Sequence, residues 1–224
     1  MTHFGTVYTY PNNPRVMKIQ AAGNLNSLSI TTAPDFQMGV TNRSPEYLSK
    51  FPMGKAPAFE GADGTLLFES DAIAQYVAES GPAKDQLLGV SAAERAHIRQ
   101  WICFAEGDAM GGVVPFAIWQ MGMRQYTAEE LEGHLAKVER ALGAVEAHLK
   151  TGGGRKWLAT EEKLSLADIS LVAALNWGFA TVLDAELRAK YPNVVAWYER
   201  TIESEGVKQA FGEKKFVEKR PAFQ

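Results

Sequence analysis

Cysteine is almost absent: Cys103 stands alone in 224 residues. That excludes a disulfide within the chain and fits a reducing compartment. Histidine is scarce too, and His3, His97, His134 and His148 show no metal-ligand spacing. There is no excess of basic charge. The formal net charge of −3 gives no general attraction to nucleic acid or to an anionic membrane. No apolar run approaches the roughly 20 residues of a membrane-spanning helix. The N-terminus, "MTHFGTVYTYPNNPR", lacks the basic-then-apolar pattern of a secretory signal. No repeat or low-complexity segment is visible. These absences predict a cytoplasmic, metal-free globular protein that engages neither nucleic acid nor membrane directly. What remains is ordinary: 46% hydrophobic and 22% charged residues, in a length sufficient for one large domain or two small ones.

The chain changes character near Pro82. Before it, "GTVYTY" is β-rich, and "NPRVMKIQAAGN" opens with Pro14 as a helix start and closes on Gly23-Asn24 as a stop. "LNSLSITTAP" reads as a second strand and "SPEYLSKF" as a weak helix. "APAFE" and "TLLFE" are strands joined by the hairpin signal "GADG". "SDAIAQYVAES" is a helix closed by Gly81-Pro82. The order β-α-β-α-β-β-α is that of a thioredoxin-like domain, predicted for residues 1–81. After the linker "GPAKDQLLGV", with residues 82–90 between the domains, the β signals vanish, and an all-helical domain is predicted for 91–224. Ser91 with Glu94, and Thr127 with Glu130, have capping-box spacing. Ser165 and Asp168 take the same roles in "LSLADISLVAAL", with Leu164 and Ile169 as a staple. Ile98, Trp101, Ile102 and Ala105 recur at helical spacing, as do Leu131, Leu135, Val138, Leu142, Val145 and Leu149. The fold class is therefore α/β plus all-α.

The stretch "GKAPAFEGADGTLLFESDAIAQY", Gly54 to Tyr76, carries the chemistry. A proline opens one strand, and an acid-hydroxyl pair, Glu69-Ser70, stands at the mouth of a helix. Singly, each has a plain reading: an edge proline, a solvated acid, a helix cap. Cys103 reads as a packed residue of an apolar helix. His134 and His148 read as an exposed face, and "FVEKRPAFQ" as a helical tail of mixed charge. "GGVVPFAIWQMGM" suits a bent helix beside a cleft.

In combination, these spacings resemble the glutathione transferases. The resemblance implies a cis proline at Pro57, which turns the Ala56 backbone toward the cysteinyl unit of glutathione. It also implies a γ-glutamyl site at Glu69 and Ser70 and a contact from Lys55 to the glycine carboxylate. "LSLADI" matches the family's structural capping box. "GTVYTYPNN", "TNRSPEYLSKFPMGKAPAFEGADG", "FESDAIAQYVA" and "LSLADISLV" are similar, more narrowly, to the transferase-like N-terminal half of the elongation factor 1 gamma family, from about Gly5 to about Phe216. That subunit continues into a further domain, whereas a free-standing relative of transferase type is expected for this chain.

The resemblance implies glutathione as substrate and an apolar electrophile to be conjugated or reduced. Thr9, Tyr10, Asn12 and Asn13 are the candidates near the sulfur, with Thr9, Tyr10 and Asn13 in the catalytic role. Tyr8 and Tyr10 also read as packing in or beside the strand, and Asn13 as a helix cap. Trp119, Met110 and Trp177 are the candidate electrophile pocket, or simply core. A homodimer is implied, with Phe51 and Met53 near an anchoring position and "AERAHIRQ" as the partner face. The alternative is a non-catalytic scaffold that associates with the elongation factor 1 nucleotide-exchange subunit.

Overall fold

The computed structural model describes residues 2–223. Its first part holds β1 (Thr2–Tyr8), α1 (Pro14–Leu25), β2 (Leu28–Thr32), α2 (Pro45–Lys50), β3 (Ala58–Gly61), β4 (Leu66–Phe68) and α3 (Ser70–Glu79). The strands lie in the order β2-β1-β3-β4, with β1 parallel to β2 and the other pairings antiparallel. This is the thioredoxin-like sheet. Val7 of β1 faces Phe59 of β3, and both side chains are fully buried. α1 runs through Gly23 to Leu25 instead of stopping at Gly23-Asn24. A Cβ at Gly23 would come within 2.8 Å of the Ile30 side chain, so the glycine serves helix-strand contact, not termination.

The helical part holds α4 (Lys84–Leu88), α5 (Ala92–Phe104), α6 (Gly111–Gln120), α7 (Ala128–Lys150), α8 (Leu166–Thr181), α9 (Ala185–Ala189), α10 (Pro192–Ile202) and α11 (Val207–Phe211). The linker thus contains a short helix, whose Leu87 and Leu88 are buried. α5 and α6 are joined by a π-helical turn, Ala105–Met110, and α6 carries Pro115 inside it. The three predicted capping boxes are all formed. One apolar core runs from Val7 through both parts to Phe211, and α8, buried on nearly every side, is its axis.

Several expectations are corrected. Cys103 is exposed, because the buried stripe of α5 is Ile98, Trp101 and Ile102, whereas Cys103 shares the outer face with Arg99. His134 and His148 are half-buried: one stands edge-on to Tyr126, the other lies against Trp101 with Nε2 2.7 Å from the Leu158 carbonyl. The tail is irregular instead of helical. Pro221 has no N–H to offer a helix, Phe216 stacks on Phe179, and Phe223 packs against Phe116 and Trp119; Gln224 lies outside the described residues. The stretch Ala92–Gln120 is long and apolar enough to cross a membrane by length and composition. More than half of its apolar window is buried, however, and its start carries Glu94, Arg95 and Arg99, as suits a core helix.

On the face of the sheet that receives α2, Glu60 accepts hydrogen bonds from Tyr8 Oη and Lys50 Nζ, each at 2.8 Å. Lys50, then Tyr8, hold its carboxyl below the usual glutamate range. The folded state therefore binds fewer protons than the unfolded chain there, so stability rises with pH across that window. The contribution is full above about pH 4.3, the unfolded value, and is lost as pH falls through the lowered folded one. Urea unfolding between about pH 4.5 and 3 is expected to show a shallower pH slope for Glu60→Gln than for the parent. Equal slopes would refute this.

Candidate functional site

Two ends of the first domain meet in a cavity of about 290 Å³ lined by Lys55, Ala56, Pro57, Glu69 and Ser70, together with Arg15, Phe51, Phe68 and Glu106. The Ala56–Pro57 peptide bond is cis. Its approach is fixed from behind. Asn42, buried, donates to the Gly54 carbonyl at 2.6 Å and accepts from the Gly39 N–H, and Tyr47 Oη donates to the Lys55 carbonyl at 2.6 Å. Two consecutive carbonyls are thereby held away from the cavity just before Ala56. Among the described residues, the Ala56 N–H and C=O have no recorded partner.

The opposite wall is the start of α3. Glu69 has φ +68, a left-handed backbone that a non-glycine residue adopts at a cost of order 1–3 kcal/mol. No side chain caps α3, so its first N–H groups are left for an anion. Ser70 is therefore the first helical residue and not the cap. It is buried, whereas Glu69 is exposed. Lys18, buried on α1, is salt-bridged to Asp71 and pins this turn of α3 to the domain.

Thr9, Tyr10, Asn12 and Asn13 line a different cavity, of about 350 Å³, with Met17, Gln20 and Phe36. Thr9 Oγ1 donates to the Tyr10 carbonyl and accepts from Asn13 Nδ2, both at 3.1 Å. Asn13 Oδ1 accepts from the Arg15 N–H, so Asn13 caps α1. Burial pushes the Tyr10 hydroxyl above its ordinary pKa, against the pull of Arg15, so it stays protonated. Tyr8 is engaged with Glu60.

The three apolar candidates are not brought together in either cavity. Met110 is buried in the core, Trp119 lies under Phe223, and Trp177 Nε1 donates to the Asn12 carbonyl at 3.3 Å. Phe51 packs inward on Tyr47 and Tyr8, and only Met53 projects outward. A larger open cleft of about 840 Å³ between α3 and α5 is lined by Gln75, Val90, Arg95 and Arg99, and contains none of the residues above. Among the described residues, no group of three or more His, Cys, Asp or Glu is placed to hold a metal ion.

Two residues of the 290 Å³ cavity had no sequence signal, Arg15 and Glu106. Arg15 Nε donates to Glu106 Oε1 at 3.0 Å across the domain boundary.

Residues 4–79 match the N-terminal domain of glutathione S-transferase, and residues 109–205 match its C-terminal domain. The chain belongs to the glutathione S-transferase family. A glutathione S-transferase-like protein of Aspergillus aculeatus is 49% identical over 207 residues, 92% of this chain and 95% of that protein. Elongation factor 1-gamma-A of Xenopus laevis is 35% identical over 222 residues, 98% of this chain. The chain spans about half of that protein's length, 49%. The solved transferase-like domain of elongation factor 1-gamma from Saccharomyces cerevisiae superposes with a TM-score of 0.81 at 25% identity, over 98% of this chain and 97% of that one. A glutathione S-transferase-I bound to lactoylglutathione gives 0.79 at 26% identity, over 93% of this chain and 98% of that one. This family and fold are those the sequence motifs implied.

Proposed function

We propose that the protein binds glutathione in the 290 Å³ cavity and transfers it to small apolar electrophiles. The observation that carries this reading is the convergence of Lys55, Ala56, Glu69 and Ser70 on that cavity, from the two ends of the β3–β4 hairpin. A carboxylate, a cation and an uncapped helix start match the charges of an extended, zwitterionic tripeptide. Glu69 meets the γ-glutamyl ammonium. Ser70 and the α3 N–H groups meet its carboxylate, and Lys55 the glycine carboxylate. Ala56 pairs with the cysteinyl backbone beside Pro57. The bound thiol loses its proton to solvent and keeps the electron pair. The sulfur then forms a bond to the electrophilic carbon, and the leaving group departs with its own pair.

The first domain, residues 1–81, supplies the tripeptide site. The helical domain, 91–224, offers the electrophile the surface around Trp177 and Trp119, with Met110 behind it in the core. The turn Thr9–Asn13 supports the start of α1 beside the sulfur. A cytoplasmic homodimer, joined through the outer face of α5, belongs to the same reading.

The superposition on the yeast elongation-factor domain favours a second reading, a non-catalytic scaffold that retains the pocket and binds a nucleotide-exchange subunit. The higher identity to the transferase-like relative favours the enzyme.

The test takes the purified protein through light scattering, glutathione calorimetry, and conjugation of a chlorodinitrobenzene-type electrophile. A dimer mass, saturable binding and a rate above the uncatalysed reaction are expected. Binding without catalysis would leave the scaffold reading, and no binding would defeat both assignments of the cavity.

A further inference from the structure

We propose that the groove along α1, between β2 and α11, is a second ligand site, for an elongated, uncharged aromatic molecule that bears a hydroxyl group. The groove shares no lining residue with the glutathione cavity, so the proposal stands apart from the glutathione reading. Its larger part is the cavity of about 350 Å³ that holds Tyr10, Met17 and Phe36. A hollow of about 160 Å³, lined by Asn24, Ile30 and Gln209, adjoins it, and Gln20 and Ala210 belong to both. Asn13, Met17, Gln20 and Asn24 follow one another at three- and four-residue intervals, so one face of α1 walls the whole groove. At the α-helical rise per residue that face runs about 16 Å. The size lies among pockets that hold small molecules, and the shape suits a long one.

The lining sets the chemistry of the ligand. Neither hollow is lined by Asp, Glu, Lys, Arg or His, whereas the glutathione cavity carries Arg15, Lys55, Glu69 and Glu106. An ion entering the groove would give up its water for no countercharge. Arg15, the charge that acts on Tyr10, is already paired with Glu106. Asp35 is exposed and outside the lining. Met17, Ile30 and Phe36 offer apolar surface to a flat ring system. Polar groups stand among them with bonding capacity to spare. Thr9 and Asn13 satisfy each other. Among the described residues, the Tyr10 hydroxyl and the Asn12, Gln20 and Gln209 amides make no hydrogen bond to the protein; Tyr10 and Asn12 are engaged only through their carbonyls. Burial keeps the Tyr10 hydroxyl protonated and able to donate. Amides and a phenol each donate and accept, which a hydroxyl on the ligand answers in both senses.

Trans-4-hydroxystilbene, uncharged at neutral pH, is the probe, and stilbene-4-carboxylate is its charged counterpart. Calorimetry follows both, with and without saturating glutathione. Saturable binding of the phenol, unaffected by glutathione, is expected, with the carboxylate at least about tenfold weaker. Tyr10→Phe keeps the ring and removes the hydroxyl, and should weaken the phenol by about two- to tenfold, the loss of one neutral hydrogen bond. Ala210→Phe fills the junction of the two hollows and should weaken it about tenfold or more. Trp119→Ala, on the electrophile surface, should leave it unchanged. Circular dichroism checks folding, and Tyr10→Phe carries the test if Ala210→Phe does not fold. Several results overturn the proposal: no saturable binding of the phenol, equal affinity for the carboxylate, competition by glutathione, or wild-type affinity in the folded groove variants. A loss in Trp119→Ala alone places the probe on the electrophile surface and overturns it as well. Failure of glutathione to bind would defeat the glutathione reading and leave this site standing on the phenol titration.

Discussion

Asp168→Ala is expected to destabilise the fold by about 3–5 kcal/mol, the largest effect of any single substitution considered. Asp168 is fully buried. Its Oδ1 accepts from the Leu158 N–H and from Trp197 Nε1, both at 2.9 Å. Its Oδ2 accepts from the Ser165 N–H at 2.9 Å and from Ser165 Oγ at 3.1 Å. Burial pushes the carboxyl above its usual pKa, and the hydrogen bonds from Ser165, Trp197 and Leu158 pull it back. Alanine leaves these donors unpaired, at about 1–3 kcal/mol each before relaxation and water entry reduce the sum. Three elements lose their junction at once: the start of α8, the loop carrying Leu158, and α10. Urea unfolding followed by tryptophan fluorescence measures the loss, and a change below about 1 kcal/mol would refute it. Asp168→Asn is expected to cost nearly as much, because its amide turns a donor toward other donors.

Glu69→Ala combined with Ser70→Ala is expected to weaken glutathione binding roughly tenfold to a hundredfold. The α3 N–H groups still hold the carboxylate, so the loss is taken as that of one charge-assisted hydrogen bond, about 1.5–3 kcal/mol, and every 1.4 kcal/mol is about tenfold in affinity. The backbone at Glu69 provides a control. With φ at +68, glycine fits that position better than glutamate does. Glu69→Gly should therefore keep or raise stability while lowering affinity, which separates lost contact from lost fold. Calorimetry showing wild-type affinity in the double variant would defeat the γ-glutamyl assignment.

Local chemistry in the chain already specified much of this protein. Ser91–Glu94, Thr127–Glu130 and Ser165–Asp168 each close a box within one helical turn, so spacing alone fixes them. The hairpin at "GADG" and the helix after Glu69 are local in the same sense. The Gly54–Tyr76 stretch was legible because Lys55, Pro57, Glu69 and Ser70 lie within a hairpin of one another in sequence. Faces and partners were decided elsewhere. Cys103 is exposed because α5 buries only the stripe that meets α8. Phe223 covers Trp119 because an irregular tail finds its contacts in space and not by period. Thr9 and Asn13 carry the right groups for a sulfur, yet a turn directs those groups at each other. Arg15 and Glu106 stand 91 residues apart and meet only because α1 packs against the helical domain while a π turn re-aims the residue after Ala105. Periodicity and capping act over a few residues, whereas a charge pair across two domains exists only once both are folded.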